Sequence, residues 1–178
     1  MVTGLDLSKH SIHYAQQFEN DALSFFNHDM RMPFRINYFD TVMNLFTSFG
    51  YFENEKDNLR TLQSAAASLK KSGILVIDFM NSEKVLKEMV PQENKDVCGI
   101  AFNIRKKVRD GFLVKEIDFS DNREQFSFIE KVKILRIEDF KNYFALSGLE
   151  LKDVFGDYLL GPYSAENSER LILTATKI

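Results

Sequence analysis

At 178 residues with 44% hydrophobic side chains, the chain is long enough for one folded domain with a real core. Its 23 basic and 26 acidic side chains leave a net charge of −3, which gives no global pull toward nucleic acid or an anionic membrane. Cys98, the only cysteine, excludes an intramolecular disulfide; no apolar run approaches the roughly 20 residues that span a bilayer, and MVTGLDLSKH lacks signal-peptide features, so the cytoplasm is the expected location.

Val2 to Leu5 reads as a short strand ended by Asp6. Ser8 can cap a helix running to about Phe18, with Ile12, Ala15 and Phe18 on one stripe. His10 and His13 stand three apart on it, but no thiol or carboxylate pattern completes a metal site, so solvated histidines are expected. Ala22 to Phe26 reads as a second strand, followed by His28-Asp29-Met30 and a turn at Arg31-Met32-Pro33-Phe34.

Phe39 to Leu45 mixes aromatic, β-branched and long apolar residues, as a strand buried on both faces should. It runs into Asn44 and then Phe46-Thr47-Ser48-Phe49-Gly50-Tyr51. Ligands of open α/β sheets bind outside the carboxyl ends of strands, so a pocket is expected at this junction. Aromatics can wall it and Asn44, Thr47 and Ser48 can supply directional hydrogen bonds; the alternative is a core strand entering an ordinary loop. Asn54 to Lys71 then reads as a helix through Leu59, Leu62, Ala66 and Leu69, with Gly73 as its cap. Ile74 to Phe79, ILVIDF, is a further buried strand. Two strand-helix-strand units in succession predict a parallel sheet with helices on its faces.

The pattern changes after Met80. A short helix fits Ser82 to Met89 and a polar loop fits Pro91 to Val97. From Ile100 the apolar residues alternate, Asp110-Gly111 signals a tight hairpin, and Phe126, Phe128, Val132 and Ile134 mark a third long strand. This predicts a three-stranded antiparallel meander inserted as a lid or substrate platform. Arg105, Lys106, Lys107 and Arg109 cluster on it, either as a solvated strand that resists edge pairing or as a site for an acidic substrate. Glu138 to Ser147 returns to helical spacing with Gly148 as cap, and Leu149–Phe155 and Arg170–Thr176 are predicted to form an antiparallel edge hairpin.

The order of these segments resembles the class I S-adenosylmethionine-dependent methyltransferases. VTGLDLS is similar to that family's second strand with its terminal acid, and HDMRMPF to the segment after its third strand. FDTVMNLFTSFGYF resembles its fourth strand and active-site loop, and LKKSGILVIDFMN its fifth strand, with Ser72-Gly73 where the family has a proline-glycine pair. The resemblance implies an α/β, Rossmann-like sheet, mostly parallel with an antiparallel C-terminal strand and an inserted antiparallel meander. Residues 1–81 and 137–178 would form the core and 82–136 the inserted lid. The family's first strand, glycine-rich loop and following helix would precede Met1, and no GxGxG-like run occurs in the chain, so a truncated form missing its first βα unit is expected.

The resemblance also implies S-adenosyl-L-methionine as cofactor. Asp6 would accept hydrogen bonds from the ribose hydroxyls and Leu7 would pack on the adenosine, while Asp29 and the Met30 backbone would read the adenine edge. Asn44, Leu45 and Phe46 would line the methionine moiety. Helix-end charge for Asp6, a loop cap for Asp29 and plain core for Leu7 are the alternatives. The implied partner is a small-molecule acceptor, with neither membrane nor nucleic acid, and a homodimer through exposed sheet edges is expected. Tyr51, Tyr38 and His10 are the candidate bases, but none has a context that raises it to a catalytic residue. Two rival functions are a catalytically inactive interaction module and a nicotinamide dehydrogenase, the latter weakened by the same missing glycine loop.

Overall fold

A computed structural model describes residues 1–178, which form three separate sheets. Strand β1 (Val2–Asp6) pairs in parallel with β2 (Leu23–Asn27), and helix α1 (Lys9–Ala15) connects them. The Ser8 hydroxyl accepts the Ser11 N–H at 3.1 Å and so caps α1. The helix is shorter than its apolar stripe predicts: Gln16–Phe18 is a single 3₁₀ turn, Ile12 is the only buried helical residue and Phe18 is exposed. A two-stranded sheet offers too little apolar surface to cover a longer stripe.

Strand β3 (Phe39–Asn44) pairs in parallel with β4 (Leu69–Met80), and α2 (Glu55–Ser68) crosses between them. The Asn54 side chain caps α2 by accepting the Lys56 N–H at 2.9 Å. The helix stops at Ser68 without a glycine cap, because the fully buried Leu69 already belongs to β4. Gly73 instead lies in a register shift between β3 and β4, beside Ser72 at φ +62. A Cβ at Gly73 would sit 2.9 Å from the Lys70 carbonyl oxygen and 3.2 Å from that of Asp40, so only glycine fits this close approach. Contrary to expectation β3 is not buried on both faces: its second edge is unpaired and Met43 is 62% exposed.

After a one-turn helix α3 (Ser82–Lys87), strands β5 (Gln92–Val97), β6 (Ile100–Arg109), β7 (Phe112–Asp121) and β8 (Glu124–Lys133) form an antiparallel meander in that order. It has four strands rather than three, since the polar stretch expected as loop is β5. An edge strand with both faces wet needs no apolar alternation, and its ladder to β6 holds it. All three hairpins use two-residue turns with both residues at positive φ: Cys98-Gly99, Asp110-Gly111 and Asn122-Arg123. That backbone matches the right-handed twist of the flanking strands. Phe102, Phe119 and Phe126 stack across the meander with ring centroids 4.7 and 5.0 Å apart.

Helix α4 (Ile137–Leu146) leads to β9 (Leu149–Phe155) and β10 (Arg170–Lys177), completing a sheet of order β3-β4-β10-β9. β10 is therefore interior and antiparallel to both neighbours, not half of an edge hairpin. Its run of apolar residues, Leu171, Ile172 and Leu173, is buried as that position demands. Between this sheet and helices α2 and α4 lies the core, where Phe140 meets Phe79 at 5.3 Å and Phe49 at 5.7 Å.

Candidate functional site

The carboxyl ends of the parallel strands β1, β2 and β3 carry the residues singled out in the sequence. They are brought together by direct bonds between neighbouring ends. The Asn27 side chain at the end of β2 donates to the carbonyls of Asp6 and Leu7 at 3.1 and 2.7 Å, and the His28 N–H donates to the Asp6 carbonyl at 2.9 Å. The Asn44 amide at the end of β3 donates to the Met30 sulfur at 3.9 Å, a weak bond that spans the two sheets.

Each side chain is differently placed for a ligand. One Asp6 oxygen accepts the Ser8 N–H at 2.7 Å, which turns the chain into α1 and leaves the second oxygen exposed. Leu7 is exposed. The Asp29 carboxylate is committed within the chain: Arg31 reaches both oxygens, at 2.6 to 3.1 Å, and the Arg31 N–H donates at 2.9 Å. The Arg31 hydrogen bonds hold the Asp29 carboxyl down to about 2. Arg31 also bridges to Asp57 on α2 at 3.1 Å and lies over the Phe52 ring, which fixes the turn after β2 to the main sheet's helix. Asn44 Oδ1 is buried with no partner. Leu45 and Phe46 are exposed, and Phe46 and Thr47 both have left-handed backbones, with φ of 54 and 61. The ledge is open; the largest cleft, about 240 Å³, lies to one side between the Arg31–Pro33 turn and α2.

The candidate bases are engaged elsewhere. Tyr51 donates its hydroxyl to Glu130 of β8 at 3.0 Å, and burial together with that carboxylate pushes the phenol up to about 12. Tyr38 lies under the Arg35 guanidinium at 4.4 Å, and His10 is exposed on α1. No group of three or more His, Cys, Asp or Glu side chains is placed to hold a metal ion. The basic cluster on β6 is neutralised: Arg105 bonds Glu116 and Asp118, Lys107 bonds Glu116 at 2.5 Å, Lys106 bonds Glu93 at 2.6 Å, and Arg109 reaches Asp110 at 3.3 Å. Because β6 is interior, the cluster has no edge to guard.

Sequence reasoning missed Asp78, near the end of β4. Its carboxylate, 2% exposed, accepts from the Arg170 guanidinium at 2.7 Å, the Phe46 N–H at 2.8 Å and the Tyr158 hydroxyl at 3.0 Å. The signal was present as a lone acid inside the apolar run ILVIDFM, since a buried carboxylate must be paired and hydrogen-bonded. Asn81, fully buried three residues on, was missed as well. Its amide donates to the carbonyls of Ser164, Ala165 and Ser168, and its oxygen accepts the Tyr163 hydroxyl at 3.2 Å.

Two parallel strand pairs with helical crossovers, an interior antiparallel C-terminal strand and an added meander define a class I S-adenosylmethionine-dependent methyltransferase-like fold. Residues 1–77 match the sequence model of the methyltransferase domain family. An S-adenosylmethionine-dependent methyltransferase from Clostridium acetobutylicum is similar over 98% of this chain and 74% of its own, with a TM-score of 0.86 and 17% identity. The CcbJ methyltransferase of Streptomyces caelestis gives 0.83 at 11% identity over 99% and 79% of the two chains. An amino pentose methyltransferase of Micromonospora echinaspora, involved in calicheamicin biosynthesis and solved with S-adenosylmethionine, gives 0.72 at 18% identity over 99% and 73%. No functionally curated protein matches the sequence.

Proposed function

We propose that this chain is an S-adenosylmethionine-dependent methyltransferase acting on a small-molecule acceptor. The observation that carries this is the convergence of Asp6, Leu7, Met30, Asn44, Leu45 and Phe46 on one ledge at the carboxyl ends of three parallel strands. The chemistry of the donor set fits the cofactor. Asp6 has an exposed carboxylate oxygen for ribose hydroxyls, and Asn44 Oδ1 is a buried acceptor that lacks a partner in the chain. Asp29 fits less well, because Arg31 already uses both of its oxygens. Leu7, Leu45 and Phe46 supply apolar cover.

Bound there, S-adenosylmethionine would supply a methyl group on a positively charged sulfur. The chain's own share is alignment and exclusion of water, which an in-line transfer needs most. Tyr51 keeps its proton near neutral pH and so does not serve as a base. Residues 82–136 act as the lid of this reading and 1–81 with 137–178 as its core. The relatives described as amino pentose and sugar N-methyltransferases favour a small, polar acceptor. The open edges of β1 and β3 are where the family's first strand would pair. A catalytically inactive interaction module is the second reading, favoured by the occupied Asp29 carboxylate.

Amide shifts in a heteronuclear NMR titration with S-adenosylhomocysteine separate the two readings. Shifts confined to residues 6–8, 29–30 and 44–47 are expected; no saturable shift at millimolar ligand, with NAD equally inert, leaves the interaction module.

A further inference from the structure

Resting on the cofactor reading of Phe46, we infer that Asp78 is the positioning residue of this ledge and that it ties the β9–β10 connection to the same turn. Four segments meet on its side chain. Oδ2 accepts both the Phe46 N–H, at 2.8 Å, and the Tyr158 hydroxyl, at 3.0 Å; Oδ1 accepts Arg170 Nε at 2.7 Å. Arg170 then passes its Nη2 to the Thr47 hydroxyl at 3.0 Å, closing a ring back to the turn. The Asp78 main-chain carbonyl separately accepts the Thr47 N–H at 2.9 Å.

The turn needs this support. Phe46 and Thr47 are consecutive residues in the left-handed region, where a β-branched threonine is strained and a phenylalanine is uncommon. Phe46 is also 75% exposed, so packing does not hold it. A charged acceptor on its N–H, shielded from water at 2% exposure, is the strongest restraint within reach. The connection on the far side is equally built. Asn81 binds three of its carbonyls, and Asp157 Oδ1 accepts the N–H groups of Leu159 and Gly161 at 2.8 and 3.0 Å. Its tip, Leu159, is 93% exposed while Tyr158 is anchored at Asp78. Asp78 thus fixes the distance between the cofactor-side turn and a second, rigid wall, which a fixed alignment of two reactants requires.

The test uses amide hydrogen exchange of the free protein and the S-adenosylhomocysteine titration together. In Asp78→Ala the Phe46 amide should exchange at least about tenfold faster, while the Thr47 amide, held by the main-chain carbonyl, keeps its protection. Should the orphaned Arg170 prevent folding, Asp78→Ala with Arg170→Met removes both charges and the same ratio is read. Ligand-induced shifts at Phe46 should be lost in either variant. Adding Thr47→Asn, which favours the left-handed backbone and keeps an oxygen, should restore part of them. Equal Phe46 exchange with and without Asp78 overturns the inference, whether or not ligand binds. A wild-type chain that shows no ligand shifts removes the cofactor reading alone, and the exchange comparison still decides Asp78.

Discussion

The residues at the strand ends differ in how much of their chemistry the chain itself uses, and this predicts how each responds to change. Asp6 spends one oxygen on the Ser8 N–H and keeps the other, so Asp6→Ala should weaken S-adenosylhomocysteine binding by about 1.5–3 kcal/mol, the worth of a charged hydrogen-bond partner. The fold should survive, because Ser8 still caps α1. Calorimetry or an NMR titration with unchanged affinity would take Asp6 out of the site. Asp29 is the opposite case. Its hydrogen bonds from Arg31 lower its carboxyl from the usual 3.8 to about 2. A depressed carboxylate adds stability above its unfolded value and loses it as pH falls through the folded one, here between about 4 and about 2. In Arg31→Met the Asp29 carboxyl should titrate near its usual value by carbon-detected NMR, and the acid-side loss of stability should begin at higher pH. An Asp29 that still titrates near 2 in that variant would mean the turn's backbone, not Arg31, sets it.

At the scale of elements, β4 does more than its sequence suggests, since its last residues hold the whole β9–β10 connection. Asn81→Ala would leave three carbonyls without their donor, at roughly 1–3 kcal/mol for each that stays buried. The expected result is a lower melting temperature with selective proteolysis within residues 156–169; a clean two-state loss without local cleavage would place Asn81 in the global core instead. The parts of this architecture that could be read in the sequence are those set by local pattern. Apolar alternation and the Asp110-Gly111 turn marked the meander, and ILVIDF marked β4. The parts that could not be read depend on partners distant in sequence. β5 is a strand only because β6 lies beside it, and α2 stops at Ser68 because Leu69 is claimed by the sheet. The ledge was legible through a family's order of motifs, whereas Asp78 draws its meaning from Arg170 and Tyr158, more than 75 positions away.

For the whole molecule the decisive feature is that β1–β2 and β3-β4-β10-β9 are separate sheets, each ending on an unpaired parallel strand. Val2 on β1 and Met43 on β3 are each 62% exposed, so both open strands also present apolar side chains. Unpaired N–H and C=O groups beside apolar side chains are a template for another strand. Self-association through these edges is therefore expected, and sedimentation equilibrium should show a mass that rises with concentration. Val2→Lys with Met43→Lys places charge on both strands and should shift the equilibrium toward monomer without lowering the melting temperature. The same open sheet bears on the ledge. Asp6 and Asn44 lie at the ends of β1 and β3, and only the Asn44–Met30 bond, the Arg31–Asp57 bridge and the Phe26–Phe34–Phe39 ring contacts span the two sheets there. Losing two well-placed polar contacts weakens a ligand by about a hundredfold or more, so S-adenosylmethionine should bind this chain only in the high micromolar to millimolar range. A monodisperse monomer that binds it at low micromolar affinity would contradict both expectations, since the two sheets would then have to close on each other around the cofactor.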